Sequence, residues 1–452
     1  MRLSPSLVAT FVIALVLILT SFNLSRWKSR DVLQHDMYVY YSYLPATFIY
    51  QDLTFNFTKE LPDDDKRQIW TLDAPNGGRV QKMTMGMAMM YAPAFGLAHL
   101  LAEPMGYTAD GYSIIYHFLM AMSALAFAIA AMLIQRKILL QYFEDKVVAL
   151  TILGIGLATN YYYYTTTEGP MSHIHNFFLI SVFIWQILKW LENYKWINAL
   201  FAGLSLGLII LIRPINAIVV IIPMFYAVRS FAEFVLRIRD VFSHYYQVIL
   251  MLFMIALVVF PQLWYWHFNT DQWIYYSYND EGFFFNDPRI LEGLFSFRKG
   301  WLVYAPVMSL SFLGLGALWL RSKASKFRLA ILIYISLNLY IVYSWWCWWY
   351  GGSFGSRPMI DATAIMSIPL AAFIALAMKK KFTSIVVTVL IFGFVGLNLF
   401  QTMQYRRAII HWDSMTKESY FLVFGKTNYP EGYSESIKTP DYEATKRGER
   451  DE

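Results

Sequence analysis

Apolar residues in this chain gather in long unbroken runs, not in the alternation of a strand or the one-sided stripe of a soluble helix. The first run covers Leu7 to Leu19. Others lie near Tyr112–Ile134, Val147–Asn160, His173–Leu191, Ile197–Ile212 and Ile215–Val228. The second half adds Val248–Trp266, Trp301–Leu320, Leu329–Tyr343, Ile360–Met378 and Ser384–Met403. Each approaches the roughly 20 residues that a bilayer core requires, which predicts about eleven transmembrane helices. The first run follows Arg2 as a signal peptide would, but no small-x-small cleavage pattern follows it within Thr20–Lys28, so a retained first helix is expected. The stretch from Met83 to Leu101 is also apolar. Counting it as a span would invert every later connection, so it is predicted to lie in the outer interface, broken near Pro93.

Composition and charge agree with this pattern. Of 452 residues, 57% are apolar and 15% charged, where soluble proteins carry about 25% charged residues. The net charge of +6 does not point to nucleic acid, because the basic residues sit in short runs between apolar segments. With Arg2 inside, alternate connections hold Arg136 and Lys137; Lys189 and Lys195; Arg229, Arg237 and Arg239; Arg321, Lys323, Lys326 and Arg328; and Lys379 to Lys381. The short connection from Tyr161 to Ser172, on the other side, has no Lys or Arg. Retention of basic loops in the cytoplasm therefore predicts a cytoplasmic N-terminus. Cys347 is the one cysteine, which excludes an intramolecular disulfide and any multi-cysteine metal site.

The expected fold class is an all-α polytopic membrane protein with a long outside loop after the first helix. Residues 1–25 form the first transmembrane helix, 26–111 an outside loop with juxtamembrane helices, and 112–404 a bundle of about ten helices. Residues 405–452, with Pro430 and Pro440, form a polar outside tail of limited order. No internal repeat of the transporter kind is found.

Candidate chemistry begins just outside the first span, where Asp36 precedes Tyr38, Tyr40, Tyr41 and Tyr43. An acid there meets both lipid head groups and outside water; the tyrosines also suit an interface belt. Further along come Lys82 and Gly86, then Ser172-His173 before a span, then Arg213-Pro214 between two short spans, then the Trp-rich loop from Trp345 to Arg357, which contains Gly-Gly-Ser-Phe-Gly-x-Arg. In their order, and with Pro45 closing the Tyr-rich stretch, these motifs resemble the polytopic GT-C-type glycosyltransferases that use polyprenyl-phosphate sugars. The protein O-mannosyltransferase and aminoarabinose transferase groups are examples, and the likeness here is to a bacterial branch. The architecture is similar over most of the chain, although Asp36 has no adjacent acid, so a family arrangement with an Asp-Glu pair is not reproduced.

The resemblance implies an integral membrane glycosyltransferase that moves a sugar from a polyprenyl-phosphate donor to a glycan, lipid or protein acceptor. The expected setting is the outer face of a bacterial inner membrane, with membrane lipids as further partners and no nucleic acid. Such transfer needs a base for the acceptor hydroxyl and cations for the departing phosphate. Asp36 is the candidate base. Among the cations Arg213, Arg298, Lys299, Arg357 and Lys82, Arg213 stands out because it interrupts an apolar stretch, where an uncompensated charge costs roughly 2.5–3.5 kcal/mol on insertion scales. Arg357 has two further readings, a helix cap or a partner for Asp361 four residues on. Tyr40, Lys82, Glu168, His173, Arg213, Trp349 and Arg357 are the expected substrate-binding residues. Trp345, Trp346, Trp348 and Trp349 suit an interfacial belt or a pocket in which flat rings stack on sugars.

No cofactor and no metal site is expected. Asp36, Glu168, His173 and His175 would be the residues for a divalent cation, but histidines two apart on a helix face about 200° from each other. Asp63-Asp64-Asp65 has the Asp-x-Asp spacing of metal–diphosphate sites, yet no alternating strand and helix pattern surrounds it, and it reads as a solvated turn. Two other functions share the membrane setting. A polysaccharide polymerase or ligase would not need the long first loop, and a lipid-linked glycan transporter or flippase should carry repeats and ionisable residues at span midpoints.

Overall fold

The computed structural model describes residues 4–61, 69–320 and 322–449. The first helix, Pro5–Leu24, starts where the sequence supplies two start signals. Ser4 accepts the Leu7 N–H at 3.4 Å, and Pro5 takes the first turn, where a missing N–H is harmless. Among the described residues seven helical segments are long and apolar enough to cross a membrane: Pro5–Ser29, Ile114–Leu140, Ser172–Asn193, Tyr245–Thr270, Lys323–Tyr343, Met359–Ala377 and Lys381–Arg406. The protein is a multi-pass membrane protein.

Four of the predicted spans form shorter helices, so seven rather than eleven reach full length. The run from Val147 stops helically at Leu157 and restarts as Tyr161–Thr166. Trp196–Ile212 ends at Arg213, whose extended backbone leads into tight turns from Pro214 to Val220 and a short Ile221–Phe225 helix. Trp301–Tyr304 and Val307–Ala317 are separate helices flanking Pro306. In each case hydrophobicity outlasts the helix, because polar turns and prolines interrupt hydrogen bonding without interrupting the apolar run.

Met359–Ala377 is the central helix: every residue from Met359 to Ala372 is buried, and it packs on Ser172–Asn193, Asp145–Leu157 and Val307–Ala317. At the periphery, Trp196–Ile212 crosses Tyr245–Thr270 at close range. A Cβ at Gly203 would come within 2.7 Å of the Met251 carbonyl oxygen, the small-residue crossing common between membrane helices.

The basic connections collect at one end of the bundle. Arg136 donates to Ser6 and Ser4 at 2.8 and 2.9 Å, and the Ser6 N–H reaches Asp145 at 3.2 Å. Tyr226 meets Tyr142 and the ammonium of Lys326 nearby. The opposite ends of the same helices carry Asp36, Glu168, Arg213 and Arg357.

Two expectations about the segments predicted to lie outside need correction. Gly86–Ala102 is one continuous helix with Pro93 inside it, not a helix broken there. Burial of Met87, Met90, Tyr91, Phe95 and Ala98, with the helix packed on Ile114–Leu140, outweighs the hydrogen bond that proline removes. The C-terminal segment is folded rather than loose. It forms Lys417–Val423, Tyr433–Ser436 and Tyr442–Lys446, buries Asp413, Ser414 and Ser419, and ties back through Tyr442 to Asp413 at 2.8 Å and Lys446 to Asp280 at 3.3 Å. Asp63-Asp64-Asp65 lies outside the described residues.

Candidate active site

Asp36 opens the short Asp36–Tyr41 helix, directly after His35, which holds a positive φ of 51° that side-chain-bearing residues rarely adopt. The bend turns the carboxyl toward Arg357, whose Nη1 lies 3.2 Å from Asp36 Oδ2, with each side chain less than a fifth exposed. This overturns both local readings of Arg357, since its partner comes from the far end of the chain. The loop that carries Arg357 is held from several sides. Asn160 Nδ2 donates to the Phe354 and Ser356 carbonyls at 3.2 Å each, the Phe354 N–H donates to Tyr164 at 3.2 Å, and Tyr343 pairs with Ser356 at 2.9 Å. Gly355 sits at φ +62°, and a Cβ there would come within 2.8 Å of Tyr304.

One turn after Asp36, Tyr40 is buried. Burial, then Asp36, pushes its phenol above the ordinary value, while Arg213, Ser172 and Arg357 pull the other way. The same phenol therefore feels the acid and both arginines, and it stays a neutral donor. Glu168 accepts from Tyr163 at 2.7 Å, and burial raises its carboxyl pKa against the opposing effects of Tyr163, Arg357 and Arg26.

Arg213 is fixed by a network that the sequence did not suggest. Its Nε lies 3.5 Å from Asp361 Oδ2, its Nη1 lies 3.4 Å from His173 Nε2, and its guanidinium stands 5.8 Å from the centre of the Tyr350 ring. A guanidinium only donates, so His173 Nε2 is the accepting nitrogen and Nδ1 carries the proton that is donated to Asp361 Oδ1 at 3.1 Å. Asn216 donates to Asp361 Oδ2 at 2.8 Å. Asp361, buried on the central helix, thus has its oxygens fully engaged and acts as an anchor. An Asp361→Ala protein should lose on the order of 3 kcal/mol of stability, because Arg213 and His173 are left without their acceptor. Thermal unfolding in detergent checks this; an unchanged midpoint would contradict the anchoring role.

The other expected residues are placed differently. Lys82 pairs with Glu281 and stands 5.3 Å from the centre of the Tyr278 ring, whose phenol is within electrostatic range of Tyr40 and Asp36. Trp349 lies elsewhere: its ring packs edge-on against Tyr442 at 5.4 Å and Trp348 at 5.7 Å, with Arg298 5.5 Å from its centre. His175 turns away from His173, donating from Nδ1 to the Met171 carbonyl at 3.2 Å and packing on Tyr91 and Phe127. Among the described residues no group of three His, Cys, Asp or Glu side chains is set to hold a metal ion. Lys299, buried under the Trp-rich loop, donates to the Ser353 carbonyl, and burial brings its pKa down to about 7 although Asp413 opposes the shift.

No family model matches the chain, and no curated protein matches it in sequence. Among solved structures it is similar to the archaeal oligosaccharyltransferase AglB from Archaeoglobus fulgidus, determined in complex with an inhibitory peptide and a dolichol-phosphate. The TM-score is 0.51 at 12% sequence identity, over 95% of this chain and 58% of that one. The likeness is one of fold, and the chain spans less than two thirds of the length of that oligosaccharyltransferase chain.

Proposed function

We propose that the protein transfers a sugar from a polyprenyl-phosphate donor to an acceptor hydroxyl at the outer face of the membrane. The observation that carries this reading is the meeting of Asp36, Arg213 and Arg357 around Tyr40, at the end of the bundle away from the basic connections. Arg213 and Arg357 hold the donor phosphate, with Lys82 beside Tyr278 adding positive charge at the edge. Tyr40, Glu168 and His173 orient substrates or the arginines that bind them.

In the free protein Arg357 occupies one oxygen of Asp36. A donor phosphate competes for that guanidinium, and as it does so the carboxylate becomes available to the acceptor. Asp36 then takes the acceptor proton, the acceptor atom bonds to the anomeric carbon, and the bond from that carbon to the phosphate oxygen breaks. The polyprenyl phosphate leaves with its added negative charge on the two arginines.

The bacterial inner membrane, the periplasmic placement of the site and the division at residues 25, 111 and 404 belong to this same proposal. Its test is incubation of the purified protein with polyprenyl-phosphate donors carrying one sugar and several. Both lengths are included because the structural neighbour is an oligosaccharyltransferase. Release of polyprenyl phosphate from at least one donor is expected. Inertness toward the whole panel, with intact flipping of the same lipids in vesicles, would favour a transporter.

A further inference from the structure

Beyond Trp345 the outer loops enclose a cavity of about 260 Å³, lined by Trp345, Trp346 and Trp348 together with Arg289, Glu292 and residues of the C-terminal segment. That volume lies just under the roughly 300–1,000 Å³ of sites for drug-sized ligands, which suits one sugar ring. The walls are fixed to each other by backbone bonds: the Arg289 N–H donates to the Tyr343 carbonyl at 2.8 Å, the Phe284 N–H to Ser344 at 2.6 Å, and the Trp346 N–H to Gly282 at 3.0 Å. The C-terminal segment closes over it through Thr445, Gly448 and Glu449.

The charges in this cavity are mostly spent on each other. Arg289 pairs with Asp287 at 2.8 Å, and Glu449 pairs with Arg447 at 2.8 Å. Glu292 lines the cavity with no ion pair or side-chain hydrogen bond among the described residues. Trp348, half-buried, makes an edge contact with Trp349 and otherwise lines the space. A pocket that offers flat indoles and, in Glu292, a carboxylate acceptor outside any ion pair matches a hydroxyl-rich ring, whose C–H face packs on an aromatic while its hydroxyls donate to the acid. A strongly cationic peptide would find most of the acids already engaged.

The cavity lies close to the site. Trp345 lines the cavity and meets the Tyr278 ring edge-on at 5.7 Å, and Tyr278 is within electrostatic range of Tyr40 and Asp36. We infer that this cavity is an acceptor subsite that binds a sugar unit of a glycan acceptor, held by Trp348 and Glu292. This rests on the proposed transfer reaction and adds the class of acceptor to it.

The test uses the full chain in nanodiscs and a panel of free methyl glycosides, with saturation-transfer NMR and tryptophan fluorescence as direct readouts. At least one glycoside should bind saturably. Trp348→Ala and Glu292→Gln should each weaken it about 10-fold or more, with Trp348→Phe intermediate. In transfer assays the same changes should raise the acceptor KM while donor binding is kept. No glycoside binding by the wild type overturns the inference, as does wild-type binding by Trp348→Ala and Glu292→Gln. Selective binding of a lysine-containing tripeptide included in the panel overturns it in favour of a peptide acceptor. Saturable glycoside binding without turnover of any donor overturns the transfer reaction and leaves the sugar pocket standing, so the two failures are distinct.

Discussion

An Asp36→Asn protein is expected to lose sugar transfer by about 100- to 10,000-fold, the range for removal of a general base. Asparagine keeps the size of the side chain and an oxygen facing Arg357, 3.2 Å away in the wild type, but it does not take up a proton. Donor binding should therefore persist or tighten, because Arg357 no longer has a carboxylate competing with the phosphate. The measurement is single-turnover transfer beside equilibrium binding of the polyprenyl-phosphate sugar. Transfer near the wild-type rate would remove Asp36 from the chemistry and shift attention to Glu168, the next acid in the group, which accepts from Tyr163 at 2.7 Å.

Why Asp36, Arg213 and Arg357 were legible in the sequence, and Asp361 was not, has a physical answer. A charge that interrupts an apolar run, or that stands at the mouth of a span, violates the local cost of solvation and so marks itself. Asp361 also interrupts an apolar run, but Arg357 four residues away supplied a local partner on paper. In the folded chain Arg213, His173 and Asn216 converge on Asp361 instead, and Arg357 is left for Asp36. Helix spacing gave the first pairing; only the packing of Ser172–Asn193 on Met359–Ala377 gives the second. The C-terminal segment was misread for a related reason. Its prolines and mixed charges look solvated in isolation, whereas Asp413 is satisfied internally by Ser414 at 2.7 Å and Tyr442 at 2.8 Å, and Tyr442 packs on Trp346 and Trp349. Element type was readable from apolar runs, while helix length and pairing depended on partners distant in sequence.

Arg213 carries the second large expectation, a loss of donor binding of about 10- to 100-fold in Arg213→Gln, as removal of a charged hydrogen-bond donor to phosphate implies. Arg213→Lys should lose less, because the charge remains while the planar fork that spans Asp361 and His173 is gone. The change also removes a partner of buried Asp361, so weaker binding has two sources: a missing phosphate contact and a loosened anchor. They separate by experiment. Asp361→Asn keeps Arg213 but weakens its tether, and should lower donor affinity less than Arg213→Gln while lowering the unfolding midpoint at least as much. If the contact with phosphate is what matters, affinity tracks the charge at position 213 and not the midpoint. A folded Arg213→Gln protein that binds a polyprenyl phosphate as tightly as the wild type would exclude Arg213 from the donor site and leave Arg357 and Lys82 as the cations that face it.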